Sequence, residues 1–243
     1  MPWTRIYSDK TEFEKARAAD PSLRGLTYRE ALLEATTQLL EADERVFVIG
    51  EGVDDAGGVF GSTLGLHSRF GKERVMDSPL AENGITGIAV GAAIAGMRPI
   101  LVHMRVDFLP LSLDQIINHA AKWHYMFGGR VNVPLTIRSI IGRGWGSAAQ
   151  HSQSLQALFT NVPGVKVVMP ATPYDAKGLL VASVRDGNPV IFIEHRWLYE
   201  RMGHVPEELY SVPIGKGAVR KKGGDCTIVA VSQMVPESMQ AAE

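Results

Sequence analysis

Three side chains in this sequence stand where they could move protons. Glu82 sits at the mouth of the run ENGITGIAVGAAIAGM, and past Asp77 it is the only carboxylate in DSPLAENGITGIAVGAAIAGMRPI. Glu51 follows the apolar run VFVIG and opens the glycine-rich stretch GEGVDDAGGVFGS. His151 lies in QHSQS, directly after a second glycine-rich stretch, IGRGWGSAAQ. A carboxylate withdrawn from water resists ionisation and can share a proton near neutrality. An imidazole titrates there without help. Each also has a plain structural reading. Glu82 could complement the positive end of a helix, His151 could bond backbone at a helix start, and Glu51 could be a loop acid without a task. By contrast, His119 and His124 are five apart and do not share a helical face as a metal pair would.

The scaffold follows from periodicity. TYREALLEATTQLLEAD reads as a helix with capping-box spacing at Thr27 and Glu30, and with Tyr28, Ala31, Leu32, Ala35 and Leu39 on one face. Short apolar strands follow at VFVI, around Val75–Met76, and at PILVHM, VPLTIRS, VKVVMP and PVIFIE. Helices are predicted between them: a short one ending at Gly71, then the small-residue run, LSLDQIINHAAKWHYMF, QSLQALF and PYDAKGLLVASVRD. Such alternation predicts an α/β fold, a doubly wound, mostly parallel sheet with ligands bound beyond the strand ends. With Ser78 as cap and Pro79 as first helical residue, Glu82 falls at the fourth helical position. Gly84, Gly87, Gly91 and Gly96 each cost a helix about 1 kcal/mol, so the run predicts close approach of another helix or chain, with Glu82 near the seam.

The division expected is an N-terminal extension over 1–24, an α/β domain over 25–199, a connector over 200–224, and an incomplete second domain from 225 to 243. CTIVAVS and PESMQAAE would be the first strand and helix of that last part, which cannot make a core alone. Lys and Arg total 25 against 26 Asp and Glu, so no global field favours nucleic acid or an anionic membrane. Arg98-Pro99 interrupts the one long apolar run, which is too rich in Gly and Ala for a membrane span. The N-terminus has no apolar signal core. A soluble, cytoplasmic protein is expected. The single Cys226 excludes an internal disulfide and is expected to be buried.

E-x4-G-apolar-x-x-G, Glu82 to Gly91, is similar to the motif of pyrimidine-binding domains in thiamine-diphosphate enzymes. Around it stand VFVIGEGV, GGVFGSTLGL, RVMDSPLAENGITGIAVGAAIAGMRP, DQIINHAAK, AAQHSQS, PGVKVVMPATPYDAKGLL and RDGNPVIFIE. From about Thr27 to Glu194 the chain resembles the β subunit of the E1 component of 2-oxoacid dehydrogenases of the pyruvate, branched-chain and acetoin type. The resemblance implies that Glu82 hydrogen-bonds N1′ of the cofactor's aminopyrimidine. That bond raises the acidity of the exocyclic amino group, so that its imino form can take the thiazolium C2 proton. It implies His151 as a proton-handling residue during acyl transfer, Glu51 as part of a path between active sites, and Phe108 as packing on the pyrimidine. Leu135, Ser183, Asp186 and Asn188 match positions around a potassium site in some relatives. Magnesium and diphosphate would be held by an α chain, since no GDG motif is present here. The implied assembly is an α2β2 heterotetramer that decarboxylates a 2-oxoacid and acylates lipoyl groups on E2. An acetoin-cleaving or transketolase-like subunit is the enzymatic alternative; a non-catalytic assembly or regulatory fragment is the other. One departure concerns LVHMRVDF, where His103 and Arg105 replace residues that are apolar or acidic in many relatives.

Overall fold

The computed structural model describes residues 5–7, 9–144 and 146–243. Trp145 of the second glycine-rich stretch, and residues 1–4 and 8 of the extension, lie outside the described residues. The elements in chain order are α1 (Lys10–Ala19), β1 (Gly25–Thr27), α2 (Tyr28–Ala42), β2 (Val46–Gly50), α3 (Leu66–Phe70), β3 (Val75–Asp77), α4 (Glu82–Ile94) and β4 (Arg98–His103). They continue with α5 (Trp123–Met126), β5 (Thr136–Ile141), α6 (Gln156–Thr160), β6 (Lys166–Val168), α7 (Pro173–Arg185), β7 (Val190–His195), β8 (Met202–His204) and α8 (Met234–Ala241).

Six strands form one parallel sheet in the order β3-β2-β4-β5-β7-β6. Alternation along each strand feeds two cores. Val46, Val48, Ile100 and Val102 pack with α2 and α7 on one face. Phe47, Ile49 and Leu101 pack with α4, Ile116 and Phe159 on the other. Helices on both faces make the sheet doubly wound, as the periodicity predicts. The expected capping box at Thr27 and Glu30 forms, and all five residues of the α2 apolar face are buried.

Chain order reverses at β2, which has β3 on one side and β4 on the other. A crevice opens beyond such a reversal, at the carboxyl ends of the strands. Gly50 closes β2 there, and a Cβ on it would lie 2.2 Å from the Val102 carbonyl oxygen, so only glycine fits. That close approach fixes where Glu51 leaves the sheet.

Several expectations need correction. The small-residue helix starts at Glu82 with Ala81 as N-cap, not at Pro79, so Glu82 is its first residue. Ser78 is buried and does not cap the helix. Of the four glycines in this run only Gly87 is closely approached by another part of the described chain, with the Gln115 side chain 3.2 Å from its hypothetical Cβ, while Gly84 and Gly91 meet nothing within 4 Å. Gly96 instead ends the helix in the left-handed region, at φ +97°. The long helix expected over 111–127 is broken into a 3-10 turn (Val106–Ser112) holding Pro110, a wide π-type turn (Gln115–Ala120) and α5. The wide turn, closed by Ala121 N–H to the Ile116 carbonyl, brings Ile116, Ala120 and Ala121 all inward. The extension contains α1, whose Phe13 packs with Tyr7, Leu23 and Met202, and β8 in the connector pairs antiparallel with β1. CTIVAVS forms no strand: it has β composition but no neighbouring ladder, so Cys226 is exposed rather than buried. Among the described residues no helix is long and apolar enough to cross a membrane.

Candidate active site

Glu51, Asp77 and Glu82 converge at the strand ends. Gly50 pairs in register with Asp77, and the Gly52 N–H donates to Asp77 Oδ1 at 2.7 Å. Burial pushes the Glu51 carboxyl above its ordinary pKa, and the negative charges of Glu82 and Asp77 push it further. Sequence reasoning missed Asp77 as a member of this group. Its signal was the parallel pairing of two strand ends, each followed by an acid.

Glu82 is half-buried at the head of α4, an end that favours negative charge. The helix head is tied to the turn after β4. Thr86 Oγ1 donates to the Glu82 carbonyl at 2.7 Å and lies 2.9 Å from Ser112 Oγ. Below it, His103 Nε2 is 3.5 Å from Thr86 Oγ1, and burial lowers the His103 pKa to about 4, so this histidine is neutral. Leu80, two residues before the acid, and Ile88, further along α4, are exposed apolar side chains.

His151 ends a short turn (Ala149–His151) and is exposed. Its ring meets the half-buried Phe108 ring edge-on, with centroids 5.4 Å apart and planes at 86°. Two of the four predicted catalytic and cofactor positions are therefore in contact, and the Glu51–Glu82 pair is coupled by charge. The Phe108 turn also packs on α4 through Ser112 and Thr86, which links the two pairs.

Beneath the first glycine-rich loop lies a buried polar cluster that sequence reading did not find. Arg138 of β5 clasps Glu194 of β7 with Nε–Oε1 2.6 Å and Nη2–Oε2 3.0 Å. Its Nη2 also donates to Ser62 Oγ at 2.9 Å, and the Tyr199 hydroxyl donates to Glu194 Oε2 at 2.6 Å. VPLTIRS and PVIFIE read as apolar strands, which hid a charged pair inside the sheet.

Leu135, Ser183, Asp186 and Asn188 gather at the opposite end of the sheet, before β5 and β7. Lys166 Nζ holds Asp186 Oδ2 at 2.5 Å, and Asn188 donates twice to Oδ1. The Leu135 carbonyl accepts from Val190 N–H and the Ser183 carbonyl from Asp186 N–H. Burial opposes the Asp186 charge, but Lys166 and Asn188 more than offset it and hold its pKa below the usual range. With an ammonium on the carboxylate and donors on the carbonyls, these side chains form a satisfied ion-pair turn. Among the described residues no group of three or more His, Cys, Asp or Glu could hold a metal.

Residues 24–202 match the family model for the transketolase pyrimidine-binding domain. The β subunit of an acetoin:2,6-dichlorophenolindophenol oxidoreductase from Bacillus subtilis is 45% identical over 90% of this chain and 68% of its own length. The 2-oxoisovalerate dehydrogenase β subunit of the same organism is 47% identical, and its pyruvate dehydrogenase E1 β subunit 43%, each over 90% of this chain and 67% of the relative. A solved split-gene transketolase, described as an inactive β4 tetramer, shares the fold with a TM-score of 0.69 at 21% identity, covering 90% of this chain and 67% of its own. This chain belongs to the transketolase pyrimidine-binding family, among the E1 β subunits of the 2-oxoacid and acetoin dehydrogenase complexes.

Proposed function

We propose that this chain acts as the β subunit of a thiamine-diphosphate-dependent 2-oxoacid dehydrogenase, in an α2β2 assembly whose α chains hold magnesium and diphosphate and whose acyl acceptor is lipoyl on E2. The cytoplasm is its proposed compartment. The observation that carries the reading is the meeting of Glu51, Asp77 and Glu82 at the sheet's reversal point, beside the Phe108–His151 pair. The residues present suit an aminopyrimidine, since a half-buried carboxylate at a helix head offers an acceptor for a ring N–H, and Leu80 and Ile88, near it along the chain, are exposed and apolar. Once bound, thiamine diphosphate supplies the electron sink that makes loss of carbon dioxide possible.

This chain's own residues orient the ring and manage protons. Glu82 binds the pyrimidine nitrogen through its carboxylate. Glu51, whose carboxyl is harder to ionise, holds a proton near that nitrogen and exchanges it. His151 is exposed, open to incoming groups, and its ring nitrogens take or give the proton of the acyl-transfer step. The Phe108 ring fixes the imidazole edge-on and limits the space around it. Potassium at the turn of Leu135, Ser183, Asp186 and Asn188 stays part of the proposal as an ion held by backbone carbonyls rather than by the Asp186 carboxylate, which Lys166 neutralises.

The test uses the assembled αβ enzyme with pyruvate, 2-oxoisovalerate or acetoin as donor and 2,6-dichlorophenolindophenol as acceptor. Glu82→Ala should lower turnover by about 100-fold or more without loss of assembly, the range of a lost acid–base group. Undiminished turnover would remove the assignment. The 45% identity of the acetoin relatives supports acetoin cleavage as the second reading, and preference for that donor would select it.

A further inference from the structure

We infer that Arg105 and Asp107 are positioning residues for His151, forming a clamp at the end of β4 that grips the histidine's turn from both sides. The inference rests on the reading of His151 as an active-site group. Arg105 Nη2 donates to the Gly142 carbonyl at 2.9 Å and to the His151 carbonyl. Asp107 Oδ1 accepts from the Gln153 N–H at 3.1 Å, two residues beyond the histidine. Phe108, next in sequence, meets the imidazole itself. One short turn thus fixes the backbone before His151, the backbone after it, and the ring.

The side chains that do this are almost fully enclosed, 7% exposed for Arg105 and 2% for Asp107. Arg105 Nε and Asp107 Oδ2 face each other at 3.7 Å, and neither has a hydrogen-bond partner among the described residues. At that separation charge alone joins them. Enclosing a guanidinium is unfavourable unless partners compensate. Here the partners are one counter-charge and two carbonyls of the His151 loop, so the strain of burial is relieved only while the loop stays in place. An apolar residue at 105 would leave the Gly142 and His151 carbonyls without this donor. The clamp is a property of this chain's sequence.

A double-mutant cycle in the assembled enzyme tests it, with tryptic cleavage after the exposed Arg143 as a readout independent of activity. Arg105→Met and Asp107→Ala should each lower kcat about tenfold with KM nearly unchanged, and lose less than about twofold more once His151→Ala is present. Both should quicken cleavage after Arg143. Arg105→Lys, which keeps the charge but not the fork, should fall between. Asp107→Asn keeps an acceptor for Gln153 N–H and serves if the alanine variant fails to fold. Losses repeated in full on the His151→Ala background, or absent on the native one, would overturn the clamp. Should His151→Ala alone leave turnover intact, the role of His151 fails, and unchanged cleavage after Arg143 in Arg105→Met would then separately sink the hold on the turn.

Discussion

Glu194→Gln should destabilise the chain far more than a single isosteric change usually does. Both partners of the Arg138–Glu194 pair are enclosed, with side chains 2% and 0% exposed. The substitution removes the charge that balances the guanidinium, and among the described residues Arg138 Nη1 already lacks a partner. Breaking such a pair from one side typically costs about 3–5 kcal/mol. A second route gives a similar size: Glu194 accepts three bonds, two from Arg138 and one from Tyr199. At about 1.5–3 kcal/mol for each bond to a charged group, and with glutamine keeping part of that capacity, the loss falls in the same range. Against a typical stability of about 5–15 kcal/mol this is a fifth of the whole or more. Urea titration followed by circular dichroism reads it as a midpoint lowered by roughly 1.5–2.5 M at a slope near 2 kcal/mol per M. Replacing the cluster with apolar groups, as Arg138→Met/Glu194→Leu/Tyr199→Phe, should recover most of the loss, because desolvation then disappears with the charges. A cost below about 1 kcal/mol for Glu194→Gln, or a triple variant weaker than the single one, would refute the argument.

Two further outcomes follow from other parts of the structure. Burial lowers the His103 pKa from 6.5 to about 4 in the folded chain. Below pH 6.5 the unfolded chain therefore binds a proton that the folded chain refuses, and roughly 3 kcal/mol of stability, whole above that pH, is lost progressively down to pH 4. His103→Gln should flatten that limb in urea titrations across pH 4–7, and parallel slopes for the two proteins would contradict it. Gly91 meets nothing within 4 Å, so Gly91→Ala should stabilise the chain alone by about 0.5–1 kcal/mol. Gly91→Leu should block assembly with the α chain by light scattering; a normal heterotetramer would show that this face is no seam.

The legible part of the fold was the part governed by repeating pattern. The α2 face follows from the 3.6 period, the capping box from the spacing of Thr27 and Glu30, and the six sheet strands from short apolar runs, all of which depend only on neighbours in sequence. The bounds of the three-residue β3 were readable only approximately. What failed depends on distant partners. β8 pairs with β1 across some 175 residues, so no local signal announces it. CTIVAVS carries strand composition, yet a strand needs a ladder beside it, and without one the run stays irregular and Cys226 stays in contact with solvent. Glu82 came out at the first helical position, after Ala81, which has no capping side chain; Ser78-Pro79 has the chemistry of a helix start but lies in the irregular segment between β3 and the helix.

The site divides along the same line. Glu82, Glu51 and His151 stand beside strand ends that sequence could place, so their positions marked them as candidates, while Phe108 entered only through the family resemblance. Asp77 joins them through the parallel pairing of β2 with β3, a relation visible only once strand order is known. Arg105 is the sharper case. In the sequence it is a departure inside LVHMRVDF with no assigned task, and its isolated chemistry suggests a surface charge. The fold turns it inward, onto two carbonyls of a loop some forty residues later, and sets Asp107 against it. The cost of enclosing that charge is what ties the end of β4 to the histidine turn. An apolar residue there would make a quieter core and leave the turn less firmly held.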